Sequence, residues 1–384
     1  MFVFPKESLP KDPVFPADLK ELGYFINEDD QIRMIVDPEQ KFLFRINTND
    51  RYNEVQREAM NTCIRDIVLA RLQALGLQTL RLPVGATTTS QHVPILATSS
   101  LGNQTRLIVV FGEPTQDLGI WAYRTIGNEG INVGSAVDFA KSIIRNEADT
   151  SSTKKDQRDT DSGLILTNPG QLVWHCGGER AVSLPTWNAL PMRYAVDPPM
   201  RMGPQNKIPG NETWQDHITY VFEHVLDKMT PKTAKIDIIG LAEGGLGAIR
   251  YLAENWQAWR SRISAICLTN PLHNIGHLEP PEFAHFIATR TRAYLISGRP
   301  LDSNVPGRFK FGCNCYSSGE SLNVECIMPR AGKNMLAWLD EMHKSPGLEE
   351  VEVIVREDLE NEEGKTEKNG NLCGSDSERG DWED

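Results

Sequence analysis

Residues 236–245 read Ile-Asp-Ile-Ile-Gly-Leu-Ala-Glu-Gly-Gly, and a helical run, Leu246–Trp259, follows at once. A short apolar stretch that ends in glycine and passes directly into a helix is a β-strand making a sharp turn. Gly244, Gly245, Gly247 and Ala248 keep side chains small where such a helix must approach the strand. Five more short apolar runs lie along the chain: Val93–Ala97, Leu107–Phe111, Gly163–Leu166, Ile263–Leu268 and Ala293–Ile296. Helical segments separate several of them, at Ala136–Ile144, Trp214–Met229 and Glu282–Thr289. Alternating strands and helices predict a mainly parallel central sheet with helices on both faces.

The turn narrows the fold further. In α/β hydrolases the nucleophile sits in a strained strand-to-helix elbow written G-x-S-x-G. The frame here is Gly240-Leu241-Ala242-Glu243-Gly244, so an α/β-hydrolase-like three-layer sandwich is expected, with Ala242 in the serine's place. A methyl group cannot attack a carbonyl. The loop after the third strand, which often supplies an oxyanion donor, reads Phe111-Gly112-Glu113-Pro114. Pro114 has no N–H, and a carboxylate at Glu113 repels developing negative charge. Asp302, just after the Ala293–Ile296 strand, is the candidate acid. The base should follow the acid in chain order, yet no histidine lies between Arg299 and Glu341.

The expectation is therefore a vestigial site without catalytic residues. Gly112, Glu113 and His273 are the candidate pocket residues around the elbow. His273 earns its place from the loop after the Ile263–Leu268 strand, at the sheet edge where ligands bind in open α/β folds. Two other readings stay open. One is an esterase-like hydrolase with Ser317 or Ser318 as a relocated nucleophile; the other is a small-ligand sensor in which Glu243 favours a cationic or hydrogen-bond-donating ligand.

The seven cysteines are scattered and odd in number, and Cys313, Cys315 and Cys326 show no C-x2-C pair. Reduced thiols without a metal or cofactor are expected. No apolar run approaches a membrane span, and the first residues lack a signal-peptide core, which predicts a nuclear or cytoplasmic protein. The net charge is −12. From Glu349 onward there are 14 acidic and 4 basic residues, so the last segment holds ten of those twelve charges. The rest is near neutral, without the basic surface that grips nucleic-acid phosphates.

Composition divides the chain into an extension (1–14), one large domain (15–348) and an acidic, disordered tail (349–384) in which Ser375 and Ser377 lie among acids. A polar stretch at 146–162 is expected to be a flexible loop. Val351, Val353 and Val355 fall at period two and predict one edge strand. Near the start, a short helix (Ala17–Tyr24) and two strand-like pieces (Gln31–Val36, Lys41–Ile46) are expected, then an amphipathic helix from Tyr52 to Leu75. A last helix, Ala331–Met342, sets Met335, Trp338, Leu339 and Met342 on one face, as core packing requires.

Several segments together carry a family resemblance. They are Phe15-Pro16 with Asp18–Phe25, Asn168-Pro169, Leu268–Asn274, Ser297–Asp302 and Ser317–Glu320, in that order and spacing. Over residues 15–343 the chain resembles the Arb-two (Argonaute-binding-protein-two) domain family. The resemblance implies a hydrolase-like fold and protein partners in small-RNA silencing or heterochromatin assembly, through Argonaute or histone deacetylase complexes. It also implies a free-standing member without a deacetylase domain, from a fungus. Some relatives keep serine where this chain has Ala242, and a histidine at a place falling near Asn323 here. Asp302 matches the acid position, so one triad member of three remains.

Overall fold

A computed structural model describes residues 9–144, 162–198 and 200–357. It opens with an antiparallel pair, β1 (Tyr24–Ile26) and β2 (Ile32–Met34), then a long helix, α1 (Asp50–Ala74). Next come β3 (Leu77–Leu82), β4 (Val93–Thr98), β5 (Arg106–Phe111), α2 (Tyr123–Asn128), α3 (Ala136–Ile143) and β6 (Ser162–Leu166). A small hairpin follows, β7 (Val173–His175) and β8 (Arg180–Val182), then α4 (Leu184–Asn188). The helical run predicted at 214–229 is α5 (Trp214–Tyr220), a π-helical stretch (Val221–Leu226) and α6 (Asp227–Met229). The second half is β9 (Lys235–Leu241), α7 (Glu243–Trp259), β10 (Ile263–Thr269), α8 (Pro281–Arg290), β11 (Thr291–Leu295), α9 (Arg308–Phe311), β12 (Asn314–Ser317) and α10 (Ile327–Lys344).

Eight strands form one sheet in the order β3-β4-β6-β5-β9-β10-β11-β12. β4 runs antiparallel to both neighbours, and every other pairing is parallel. This is the α/β-hydrolase-like three-layer sandwich. Both faces are buried, so side chains of alternate register enter separate cores. Leu107, Val109 and Phe111 of β5 join Ile218, Phe222 and Leu252 on one side. Ile108 and Val110 join Val68, Leu72, Met335 and Leu339 on the other. α5, α7 and α8 therefore cover one face, and α1, α3 and α10 the second.

A buried ion pair sits inside this sheet. Asp237 of β9 is fully buried and accepts from Arg106 Nε at 2.7 Å, while Arg106 Nη1 reaches Asp340 of α10 at 2.6 Å. Burial pushes the Asp237 carboxyl up to about 6, against the pull of Arg106.

Local expectations near the ends are corrected. Residues 18–23 form turns, with Leu22 N–H donating to Asp18 O and Gly23 N–H to Lys20 O, and do not build a helix. Residues 41–46 are not a strand; Phe42 is instead a core anchor packed edge-on against Tyr24. Val351–Val355 pair with no strand, because their contacts are made to side chains of the domain. Residues 146–161 of the polar stretch, and Ser375 and Ser377, lie outside the described residues.

Candidate functional site

The backbone at residue 242 has kept the geometry of a nucleophile elbow. Ala242 has φ 41° and ψ −110°, a strained region for any residue with a side chain. Its N–H donates to Thr269 O at 3.0 Å, and its carbonyl accepts from Leu246 N–H at 3.0 Å in the first turn of α7. The glycines of the frame are steric requirements. A Cβ on Gly240 would lie 2.3 Å from Gly245 Cα, and one on Gly244 would lie 2.3 Å from Gly112 O and 2.4 Å from Phe111 O. The helix thus starts pressed against the ends of β9 and β5.

Gly112, Glu113, Gly240, Ala242, Glu243 and Gly244 are brought together as the frame predicts. The surroundings of Glu113 are acidic, and the cavity next to it is small and is not lined by Gly240, Ala242, Glu243 or Gly244. Burial pushes the Glu113 carboxyl up to about 7, helped by the negative charges of Glu243 and Glu325. The cavity beside this loop, lined by Gly112, Glu113, Gln116, Trp121, Asn168 and Pro169 among others, measures about 20 Å³. That holds about one water, whereas small-molecule pockets run to several hundred Å³. Ala242 itself is 5% exposed.

The residues expected at the other triad positions, Asp302 and Asn323, make local contacts. Asp302, also at positive φ, donates its N–H to Ser317 O at 3.0 Å, and its carboxylate accepts from the Asn334 amide. Asn323 donates its N–H to Glu320 Oε1 at 3.2 Å and opens the short turn Val324–Cys326. The structure puts no imidazole at that loop.

His273 is 1% exposed, and its Nε2–H donates to Phe311 O at 2.8 Å, so the ring belongs to the packing of α9. His217 of α5 is fully buried. Its Nε2 accepts from Asn168 N–H at 3.1 Å, which leaves Nδ1–H to donate to Asn211 Oδ1 at 2.7 Å. Burial drives its pKa down to about 3, so it is a neutral structural group.

Both alternative nucleophiles are buried donors. Ser317 Oγ donates to Arg299 O at 2.7 Å, and Ser318 Oγ to Leu295 O at 2.8 Å. Glu325 is the site residue that sequence reasoning missed. It pairs with Arg124 at 3.6 Å and adds a third carboxylate near the elbow. The only sequence cue was its place just after the loop where a histidine was sought.

Comparisons with known proteins place the chain in a family. The family model of the Arb2 domain matches residues 15–301. The chain belongs to the Arb2-domain family. The mouse protein named cotranscriptional regulator ARB2A is 23% identical over 320 residues, covering 76% of this chain and 73% of its own. A Dictyostelium discoideum homologue is 22% identical over 314 residues, covering 79% and 75%. These animal and Dictyostelium relatives lend no support to the fungal source expected from sequence. Among solved structures, a histone deacetylase from Saccharomyces cerevisiae aligns at 14% identity, over 73% of this chain and 98% of that one, with a TM-score of 0.41. A bacterial heroin esterase aligns at 12% identity, over 74% and 91%, with a TM-score of 0.32. The hydrolase-like Arb2 domain therefore rests on strand order, elbow geometry and the family match.

Proposed function

We propose that this Arb2-domain protein is a catalytically inactive hydrolase-fold scaffold that regulates gene expression by binding other proteins. The observation that carries the reading is Ala242, a methyl group held at the strained elbow backbone where a nucleophile would act. A carboxylate-lined loop in place of an oxyanion site and the lack of an imidazole after β12 support it. Relatives named as cotranscriptional regulators support a nuclear setting. Within that setting the working hypothesis is small-RNA silencing or heterochromatin assembly, through Argonaute or histone deacetylase complexes. No helix of the described residues is long and apolar enough to cross a membrane.

Affinity capture of the tagged full chain from nuclear extract tests the partner half. Recovery of an Argonaute or deacetylase subunit is expected, and a clean monomer without partners counts against it. The catalytic half is tested by serine-reactive phosphonate labelling and p-nitrophenyl ester turnover. Wild type and Ala242→Ser should both be silent; turnover by Ala242→Ser would sink the scaffold reading.

A further inference from the structure

The first residues of the acidic segment lie beside β12, the last strand of the sheet, whose outer backbone is itself covered by residues 302–305 through Asp302 N–H to Ser317 O, Ser317 N–H to Ser303 O and Val305 N–H to Cys315 O. One side chain is set deep. Glu350 Oε1 accepts from Arg292 Nε at 2.9 Å, Arg292 Nη2 at 2.6 Å and Trp338 Nε1 at 2.9 Å. Its Oε2 accepts from Asn314 Nδ2 at 3.0 Å and Tyr316 Oη at 2.9 Å. Arg292 is itself held over the rings of Tyr316 and Trp338, at 4.5 and 5.0 Å. All four partners belong to β11, β12 and α10, so the domain alone builds a socket for one carboxylate.

Beyond the socket the backbone is read by a single amide. Asn314 Nδ2 donates to Val351 O at 2.8 Å, and its Oδ1 accepts from Val353 N–H at 3.1 Å. Carbonyl of one residue and N–H of the residue two further on is a pattern that any extended chain presents, whatever its side chains. Arg308 then pairs with Glu352 at 2.9 Å and Arg299 with Glu357. Glu352 and Glu357 are largely solvent-exposed, where ion pairs are weak and screened. Val351 is 81% exposed and Ile354 46%, so apolar burial adds little hold. Glu350 N–H also donates to Thr289 O at 2.7 Å and Arg290 Nη1 to Leu348 O at 2.6 Å, so the hold is concentrated at residues 348–350 and the rim beyond is weak, the anatomy of an exchangeable peptide interface.

We propose that this edge is a docking site for an acidic, extended segment of a partner protein carrying Glu-x-Glu, and that residues 349–357 fill it in cis as a displaceable competitor. The charge pattern selects the occupant: the socket of Arg292 takes the first glutamate and Arg308 the second, while Asn314 accepts any backbone. Tethering gives the chain's own segment a high effective concentration, so a partner competes only when its segment binds better or the cis segment is weakened.

The test uses the full chain and a labelled peptide of residues 347–357. The Glu350→Ala chain should bind this peptide at least about tenfold more tightly than wild type does. A peptide carrying the same Glu350→Ala change should bind that chain at least about tenfold more weakly than the native peptide. A folded Glu350→Ala chain that ignores the peptide, or binds both peptides equally, overturns the proposal. Dimerisation of wild type through exchanged segments would put a second copy, and not a partner, on the edge, and would overturn it too. Hydrogen exchange on wild type decides the matter even if the variant fails to fold. Opening of the Val353 amide while β10 stays protected supports exchange, and opening only with global unfolding refutes it.

Discussion

Two glutamates in this molecule, Glu113 beside the elbow and Glu350 at the sheet edge, meet opposite electrostatics. Glu113 is half-buried against Glu243 and Glu325, and its carboxyl is raised to about 7 by desolvation and like charge. Glu350 pays a desolvation cost as well, but Arg292, Asn314 and Tyr316 outweigh it and hold the carboxyl below its usual range. The residue type is the same; the partners differ. Where a hydrolase concentrates donors for a developing anion, this chain concentrates acceptors, and its organised donor array lies at the edge instead.

The comparison can be broken by substitution. The largest effect is expected at the elbow's packing: Gly244→Ala should cost about 4 kcal/mol in urea unfolding, because its Cβ meets two backbone carbonyls. Gly298→Ala is the matched control, since nothing lies within 4 Å of a Cβ there. Next, Glu350→Ala should cost about 2 kcal/mol at neutral pH by leaving the Arg292 cation without its partner. Glu350 has a lowered folded pKa, so its stabilisation is present above the ordinary carboxylate pKa and is lost as pH falls. The cost of Glu350→Gln should therefore shrink on acidification.

Glu113 should behave in the reverse sense. Its folded pKa is raised, so the fold favours the protonated form, and stability is lost as pH rises from about 4.5 through 7. Glu113→Gln should raise the unfolding free energy by about 1.5 kcal/mol at pH 8 and by almost nothing at pH 4.5, read from denaturant midpoints at the two pH values. The smallest effect concerns strain alone. Ala242→Gly should gain about 1 kcal/mol by relieving the positive-φ backbone, and an unchanged midpoint would mean the turn is not strained.

Six of the eight strands of the central sheet were legible as short apolar runs, whereas β3 (Leu-Gln-Thr-Leu-Arg-Leu) and β12 (Asn-Cys-Tyr-Ser) mix polar residues in and were not. The elbow was legible because its glycines answer to local sterics. The sheet edge was not. Glu350 is the second residue of an acid-rich run, and composition alone reads such a run as solvated; its partners Arg292, Asn314, Tyr316 and Trp338 lie 12–58 residues earlier. The buried setting of His217 likewise depends on Asn168 and Asn211 approaching it in three dimensions. Residues 41–46 misled through their apolar content, which serves to anchor Phe42 and not to extend a sheet.

Because Gly240 and Gly244 are fixed by backbone packing, selection on the fold alone preserves the motif's outer letters. A lineage that stopped needing a nucleophile would still be held to that pattern, and its central letter would be the one free to drift. The glycine frame by itself therefore records backbone packing, whatever residue stands at its centre. A search by the glycine frame alone would group a chain with Ala242 at the centre together with chains that carry serine there.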